Sequence, residues 1–204
     1  MGDFREFINI SLDAFTSAWL GNLMAYTGTL PRFSNIAYYF KQKSTLVLES
    51  DKAFTRSIYH LHQEFEFTVP FGQTIERCRQ FLTLFENMYL KEPKNLPYTL
   101  LEVRFTPAGH NRTLVGAGQE LRSCWIDLIC NDSHGFEKYY DAAEEEIKKI
   151  GGRPHLGKFG LTFDKKYLAN LYGENFEKFL ELISQHDPEN KFSNAFTNRL
   201  FRSH

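Results

Sequence analysis

Two short clusters of charged residues have the types and spacing that an oxygen-rich ligand requires. Glu102 and Arg104 stand two apart in Leu101-Glu102-Val103-Arg104-Phe105-Thr106. On a strand they emerge on one face about 6–7 Å apart, where an arginine can fix an oxygen and a carboxylate can accept hydroxyl protons. An exposed charge pair worth under ~1 kcal/mol has the same spacing, so both readings stand at this level. The second cluster, Gly152-Arg153-Pro154-His155-Leu156-Gly157-Lys158, gathers Arg153, His155 and Lys158 in a glycine-hinged loop. Such a loop can approach a ligand closely, and a solvated basic loop behind a helix C-terminus would look alike. The segment begins as a phosphate loop, G-x-x-x-x-G-K, and then fails. Phe159 follows where a Ser or Thr hydroxyl must reach magnesium, a helix rather than a strand precedes, and Pro154 has no N–H to offer phosphate.

Other reactive residues lack partners of the right type. His60 and His62 could share a face, but no third ligand accompanies them at metal spacing, so no metal is expected. Cys78, Cys124 and Cys130 form no C-x-x-C pair, which argues against a disulfide framework or a zinc site and fits a reducing compartment. Cys124, without a neighbouring His, reads as a buried strand residue rather than a nucleophile.

The elements that must position these side chains are written in hydrophobic periods. Glu64-Phe65-Glu66-Phe67-Thr68-Val69-Pro70 alternates strictly, as a half-buried strand does, with Phe65, Phe67 and Val69 toward a core. Ile75, Cys78, Phe81, Leu82, Phe85, Met88 and Tyr89 form a stripe on a helix of roughly 16 residues, closed by Pro93 and Pro97. Leu101 to Thr106 is a second strand, and turn-prone residues around Gly109, Gly116 and Gly118 follow. Cys124 to Cys130 is a third strand, and Asn131-Asp132-Ser133 can cap a helix running through Phe136, Tyr140, Ala143, Ile147 and Ile150 to Gly151. Thr162 or Asp164 can cap another helix, broken near Gly173, resumed through Phe176 to Ile183 and stopped at Asp187-Pro188. Residues 1–62 are less legible: Phe4 to Leu23 reads as helical and Thr45 to Leu48 as a short strand. The expected fold is α+β, a mostly antiparallel sheet covered by helices on one face, with the other face free to meet something else.

Composition narrows the partners. With 24 Lys+Arg against 25 Asp+Glu in 204 residues and a pI near 6.7, no long-range field is available to hold nucleic acid. The start Met1-Gly2-Asp3-Phe4-Arg5-Glu6 has no basic leader ahead of an apolar run. Ala14 to Pro31 is uncharged but carries Thr16, Ser17, Asn22, Thr27 and Thr29, short of the ~20 apolar residues of a spanning helix. It reads as buried or interfacial, and the location as cytoplasmic.

Taken in order, Glu102-Val103-Arg104-Phe105-Thr106, Ser123-Cys124-Trp125, Gly151 to Lys158, Asp187-Pro188 with Phe192-Ser193-Asn194, and Asn198-Arg199-Leu200-Phe201 resemble the C-terminal half of sugar-1,4-lactone oxidases. That group includes D-arabinono-1,4-lactone oxidase, L-gulono-1,4-lactone oxidase and the alditol oxidases, within the vanillyl-alcohol-oxidase type of FAD-linked oxidoreductases. The resemblance runs from about Gln63 to Phe201, so it divides the sequence into 1–62, an N-terminal part of the cap, and 63–204, the lactone-oxidase-like domain. It implies a cap that closes a substrate site over a flavin held by another domain. No stretch resembles the glycine-rich FAD-binding half, and no residue matches an FAD-attachment histidine.

By position, the resemblance makes Glu102 and Arg104 the acid-x-arginine pair that contacts substrate. Lys158 corresponds to the lysine near flavin and substrate, and His155 to the histidine of the same motif. Leu156 replaces a usual tryptophan, and Ile129 stands on a strand where alditol oxidases have a polar contact, which favours a lactone over a polyol. The implied cofactor is FAD, the implied partner an FAD-binding domain in cis or as a separate subunit, and the chain by itself is expected to be silent. Two rivals remain: a non-catalytic sugar-acid- or protein-binding module derived from such a cap, and, since some relatives associate with membranes, peripheral attachment through Ala14 to Leu30.

Overall fold

The computed structural model describes residues 19, 21–29, 32, 62–94, 99–108, 113–118, 122–131, 136–158, 160 and 162–202. The expected strand at Thr45 to Leu48, His60, the Asp132-Ser133 cap, Gly109, Pro97 and most of the Phe4 to Leu23 helix lie outside them. Of the Ala14 to Pro31 stretch, the helix α1 (Gly21–Thr27) is described, with Trp19, Leu23 and Tyr26 exposed. Among the described residues no helix is long and apolar enough to cross a membrane.

Most of the elements follow from the periods above; the short strand Arg153–Pro154 falls in the segment read as a loop, and the helix Ala195–Phe201 has no counterpart among the expected elements. Strand β1 (His62–Pro70) leads through a short 3-10 turn, Phe71–Gln73, into α2 (Thr74–Lys91). Then come β2 (Thr99–Thr106), β3 (Ser123–Asn131), α3 (Phe136–Lys149) and the short β4 (Arg153–Pro154). The sheet order is β2-β3-β1-β4, with β1 and β4 antiparallel through Phe67 opposite Pro154. A β-α-β-β-α-β succession with these neighbours is the split βαβ arrangement of an α+β sandwich, an antiparallel sheet with its helices on one side. Helices α4 (Lys165–Tyr172), α5 (Glu174–His186) and α6 (Ala195–Phe201) follow.

Two compact units emerge: Met1–Gln63 with Asn87–Thr99 and Cys130–Phe136, and Glu64–Glu86 with Leu100–Ile129 and Glu137–His204. In the first, Tyr89 donates its hydroxyl proton to the Gly28 carbonyl at 3.1 Å. In the second, the core is aromatic. Phe67 packs on Phe81 at 4.9 Å, Phe85 stacks on Tyr139 at 4.1 Å, and Phe65 meets both Tyr140 and Phe163. The stripe on α2 is narrower than its spacing predicts: Phe81 is buried, whereas Ile75 and Leu82 are exposed. At 100° per residue those two sit on the edge of the stripe, outside the row of Cys78, Phe81 and Phe85 that faces the sheet.

Backbone chemistry ends the helices as expected. Gly151 takes a φ of 65° after α3, a left-handed conformation that costs a glycine little. Asp164 caps α4, accepting the Tyr167 N–H at 2.7 Å. Asp164→Ala is expected to remove about 1 kcal/mol of stability, read as a lower urea midpoint at constant slope.

Strand β1 departs from the half-buried expectation. Residues 65 to 69 are buried on both faces, including Glu66 and Thr68 at 1% and 3% exposure. It is an interior strand flanked by β3 and β4, and the loop before β3 lies over its polar face, where the Ala117 carbonyl accepts the Thr68 hydroxyl at 2.6 Å. The polar side chains of β1 are therefore held inside the protein and must find partners there.

Candidate active site

Strand alternation turns Glu64, Glu66 and Thr68 away from the helices, and Glu102, Arg104 and Thr106 of β2 with Trp125 and Asp127 of β3 meet them on that face. Arg104 Nη2 donates to Glu66 Oε1, and its Nε lies 3.6 Å from Glu102 Oε1. Glu102 and Arg104 are thus an ion pair whose charged ends meet at 3.6 Å, within reach of side chains that leave the strand about 6–7 Å apart. The bond to Glu66 raises the Arg104 pKa above its ordinary value, so its charge is permanent.

Glu66 is anomalous in a way that matters. Its side chain is fully buried, and Oε2 has no hydrogen-bond partner among the described residues. It lines a cavity of about 300 Å³ together with Arg104, Phe105, Thr106, Trp125 and His155, within the size range of small-molecule sites. A buried carboxylate oxygen with no donor costs on the order of 1–3 kcal/mol or more.

One wall is aromatic and fixed. Trp125 Nε1 donates to Thr106 Oγ1 at 2.9 Å, and its ring meets His155 edge-on at 5.8 Å. His155 is anchored by its own backbone, its N–H donating to the Glu66 carbonyl at 2.8 Å. Its Nδ1 accepts the Gly157 N–H at 3.0 Å, so the neutral ring carries its proton on Nε2 and is a donor there. A Cβ at Gly157 would stand 3.1 Å from His155 Cε1. Gly157→Ala is expected to push the ring from this wall with little loss of stability, read as shifted His155 ring resonances beside an unchanged melting temperature.

Lys158 bridges two strands. Its Nζ bonds Glu64 of β1 and lies 3.5 Å from Asp127 Oδ2 of β3. The four site residues read from the sequence thus come to one sheet face, His155 and Arg104 on the cavity, Glu102 beside Arg104, and Lys158 between Glu64 and Asp127. Arg153, opposite Thr68 in the β1–β4 register, lays its guanidinium 5.4 Å over the Tyr172 ring. Leu156 lines a second, much smaller cavity with His155, Lys158, Phe163, Phe196 and Leu200, so it adjoins the two loop residues of the site from the other side. Ile129 is buried in β3. Cys124 is fully buried, and burial pushes its thiol pKa up, which suits an inert core residue. Among the described residues no group of three His, Cys, Asp or Glu could hold a metal ion.

Glu64, Glu66, Trp125 and Asp127 are missing from the sequence-derived site. The alternation that sends Phe65 and Phe67 inward already puts Glu64 and Glu66 on the other face, and the same rule separates Trp125 and Asp127 from Cys124, Ile126 and Leu128. That signal names a face without naming neighbours.

The family model for D-arabinono-1,4-lactone oxidase matches residues 8–200. The chain belongs to this family. The match covers nearly the whole sequence and reaches well upstream of Gln63, where the short motifs begin. L-Gulonolactone oxidase of Scyliorhinus torazame is 27% identical over 182 residues, which make up 84% of this chain and 39% of that protein. The Bos taurus L-gulonolactone oxidase is 27% identical over 155 residues, 69% of this chain and 33% of its own length. The L-gulono-1,4-lactone dehydrogenase of Mycobacterium tuberculosis is 24% identical over 179 residues, 86% of this chain and 39% of its own. Against these lactone-oxidase family members the chain spans little more than a third of the full length.

Proposed function

We propose that the polar sheet face is the substrate wall of an FAD-dependent sugar-1,4-lactone oxidoreductase, with the FAD-binding domain supplied in cis or as a separate subunit. The observation that carries this reading is the cavity that Glu66, Arg104, Trp125 and His155 line together, with Glu66 Oε2 unpartnered among the described residues. An acceptor beside a permanent cation is what a ring bearing both hydroxyls and a carbonyl would engage. Arg104 donates to the substrate oxygen, and Glu66 and Glu102 accept hydroxyl protons. Trp125 offers a flat apolar surface to the ring. The donor set also fits the oxygen-rich edge of a flavin, since Lys158 Nζ is a cation and His155 a donor through Nε2. When bound, the flavin accepts hydride from the carbinol carbon.

Charge sharpens the substrate class. Four carboxylates, Glu64, Glu66, Glu102 and Asp127, face two cations, Arg104 and Lys158, each already in an ion pair. A net negative site of this kind disfavours an anionic ligand, so the closed lactone should be oxidised and the ring-opened aldonate refused. The test uses the whole flavin-loaded protein. Glu66→Gln is expected to lower kcat/KM for the lactone about tenfold, the scale of a hydrogen bond to a charged group, and the aldonate should give no turnover at equal concentration. Unchanged kcat/KM in Glu66→Gln, or equal use of lactone and aldonate, would remove the basis of the proposal.

A further inference from the structure

The loop that brings His155 and Lys158 to the sheet is held from behind by two residues that do not line the substrate cavity. The first is Glu144 of α3, fully buried in line with Tyr140, Ala143 and Ile147. A carboxylate in that position is expensive unless hydrogen bonds replace its water. Glu144 Oε2 accepts the Thr162 N–H at 2.6 Å and the Thr162 hydroxyl proton, and that hydroxyl in turn accepts from Lys148 Nζ at 2.7 Å. The second is Arg199 of α6, whose Nη2 donates to the Gly160 carbonyl at 2.5 Å. At the start of the loop the His155 N–H is tied to the Glu66 carbonyl at 2.8 Å.

Three elements, β1, α6 and α3, therefore pin the loop at residues 155, 160 and 162, and Lys158 lies inside the span they define. A lysine is a point charge on a long flexible stem, and it holds one position only if its backbone does. We infer that Glu144, assisted by Arg199, is a positioning residue that fixes the backbone of the Lys158 loop and, through it, the ammonium between Glu64 and Asp127. The inference rests on the proposed role of Lys158.

The test is made in the whole flavin-loaded protein, at a temperature where each variant is folded. Glu144→Leu removes the oxygen that accepts both Thr162 bonds, and kcat for the lactone is expected to fall about tenfold or more, with KM changed far less, because small displacements of a reacting group cost rate. Glu144→Gln keeps an acceptor oxygen and should restore most of kcat. Deuterium exchange of the amides at 155–162 should rise in Glu144→Leu but not in Glu144→Gln or Lys158→Met. Should Glu144→Leu fail to fold, Thr162→Val at the exposed end of the bond is expected to show the same exchange signature with a smaller loss of kcat. Wild-type kcat or unchanged exchange in a folded Glu144→Leu or Thr162→Val, alongside loss of turnover in Lys158→Met, overturns this inference alone. Full turnover in Lys158→Met overturns the proposed role of Lys158 and this inference with it.

Discussion

Lys158→Met is expected to reduce lactone turnover by two to three orders of magnitude, the usual effect of removing one preorganised charge from a reacting site. The ammonium is less than one-quarter exposed, bonded to Glu64 and 3.5 Å from Asp127, which is itself almost fully buried. Without it the ion pairs that Lys158 makes with Glu64 and Asp127 are lost. Breaking such a pair from one side costs about 3–5 kcal/mol when it is fully buried, and the partial exposure of Lys158 and Glu64 places the expected loss at the lower end. Stability and catalysis can then be separated. In Lys158→Met with Glu64→Gln one carboxylate is neutralised, so urea denaturation should show most of the lost stability restored while turnover stays absent. Recovery of both together would make Lys158 a structural residue.

Arg104→Lys is the second large effect, and it should behave as a severe change despite conserving charge. The guanidinium serves two carboxylates at once, Nη2 on Glu66 and Nε toward Glu102, and an ammonium has no planar fork with which to do so. A lysine that stays with Glu66 is no longer available to substrate, and one that turns to substrate strands a buried carboxylate. The expected outcome is a fall in kcat/KM of about 10²-fold, carried by kcat as well as KM, with a stability loss of about 1–2 kcal/mol because half of the Arg104 side chain is in water. Since the Glu66 bond raises the Arg104 pKa, the charge is present throughout the working pH range, and the wild-type pH–rate profile should show no limb belonging to this residue. A variant with normal kcat/KM would place substrate elsewhere.

How the fold became legible differs from how the site did. Period-two alternation at Glu64 to Val69 and Leu101 to Thr106, the stripe through Phe81 and Phe85, Gly151 after α3 and Asp164 before α4 are all local signals. Each is written within a few residues, so each could be read in sequence. The exposed Ile75 and Leu82 show where this stops: a stripe reports apolar residues, and the width of the surface they meet decides which are covered. The site follows the same division. Glu102 and Arg104, two apart, were visible as a pair, and His155 and Lys158 as a loop cluster.

Their partners were not visible as partners. Glu66 is 38 residues from Arg104, and Glu64 is 94 from Lys158. By itself the sequence determined most of the element types, the face each strand side chain takes, the family motifs and four residues that meet on the polar sheet face. Tertiary structure decided that β3 inserts between β2 and β1, that β4 pairs with β1, and hence that two cations come to rest among four carboxylates with one oxygen of Glu66 left unsatisfied among the described residues. Side-chain direction is fixed by local backbone stereochemistry, whereas strand neighbours are chosen by burying the whole apolar surface at once, a quantity that no short segment contains.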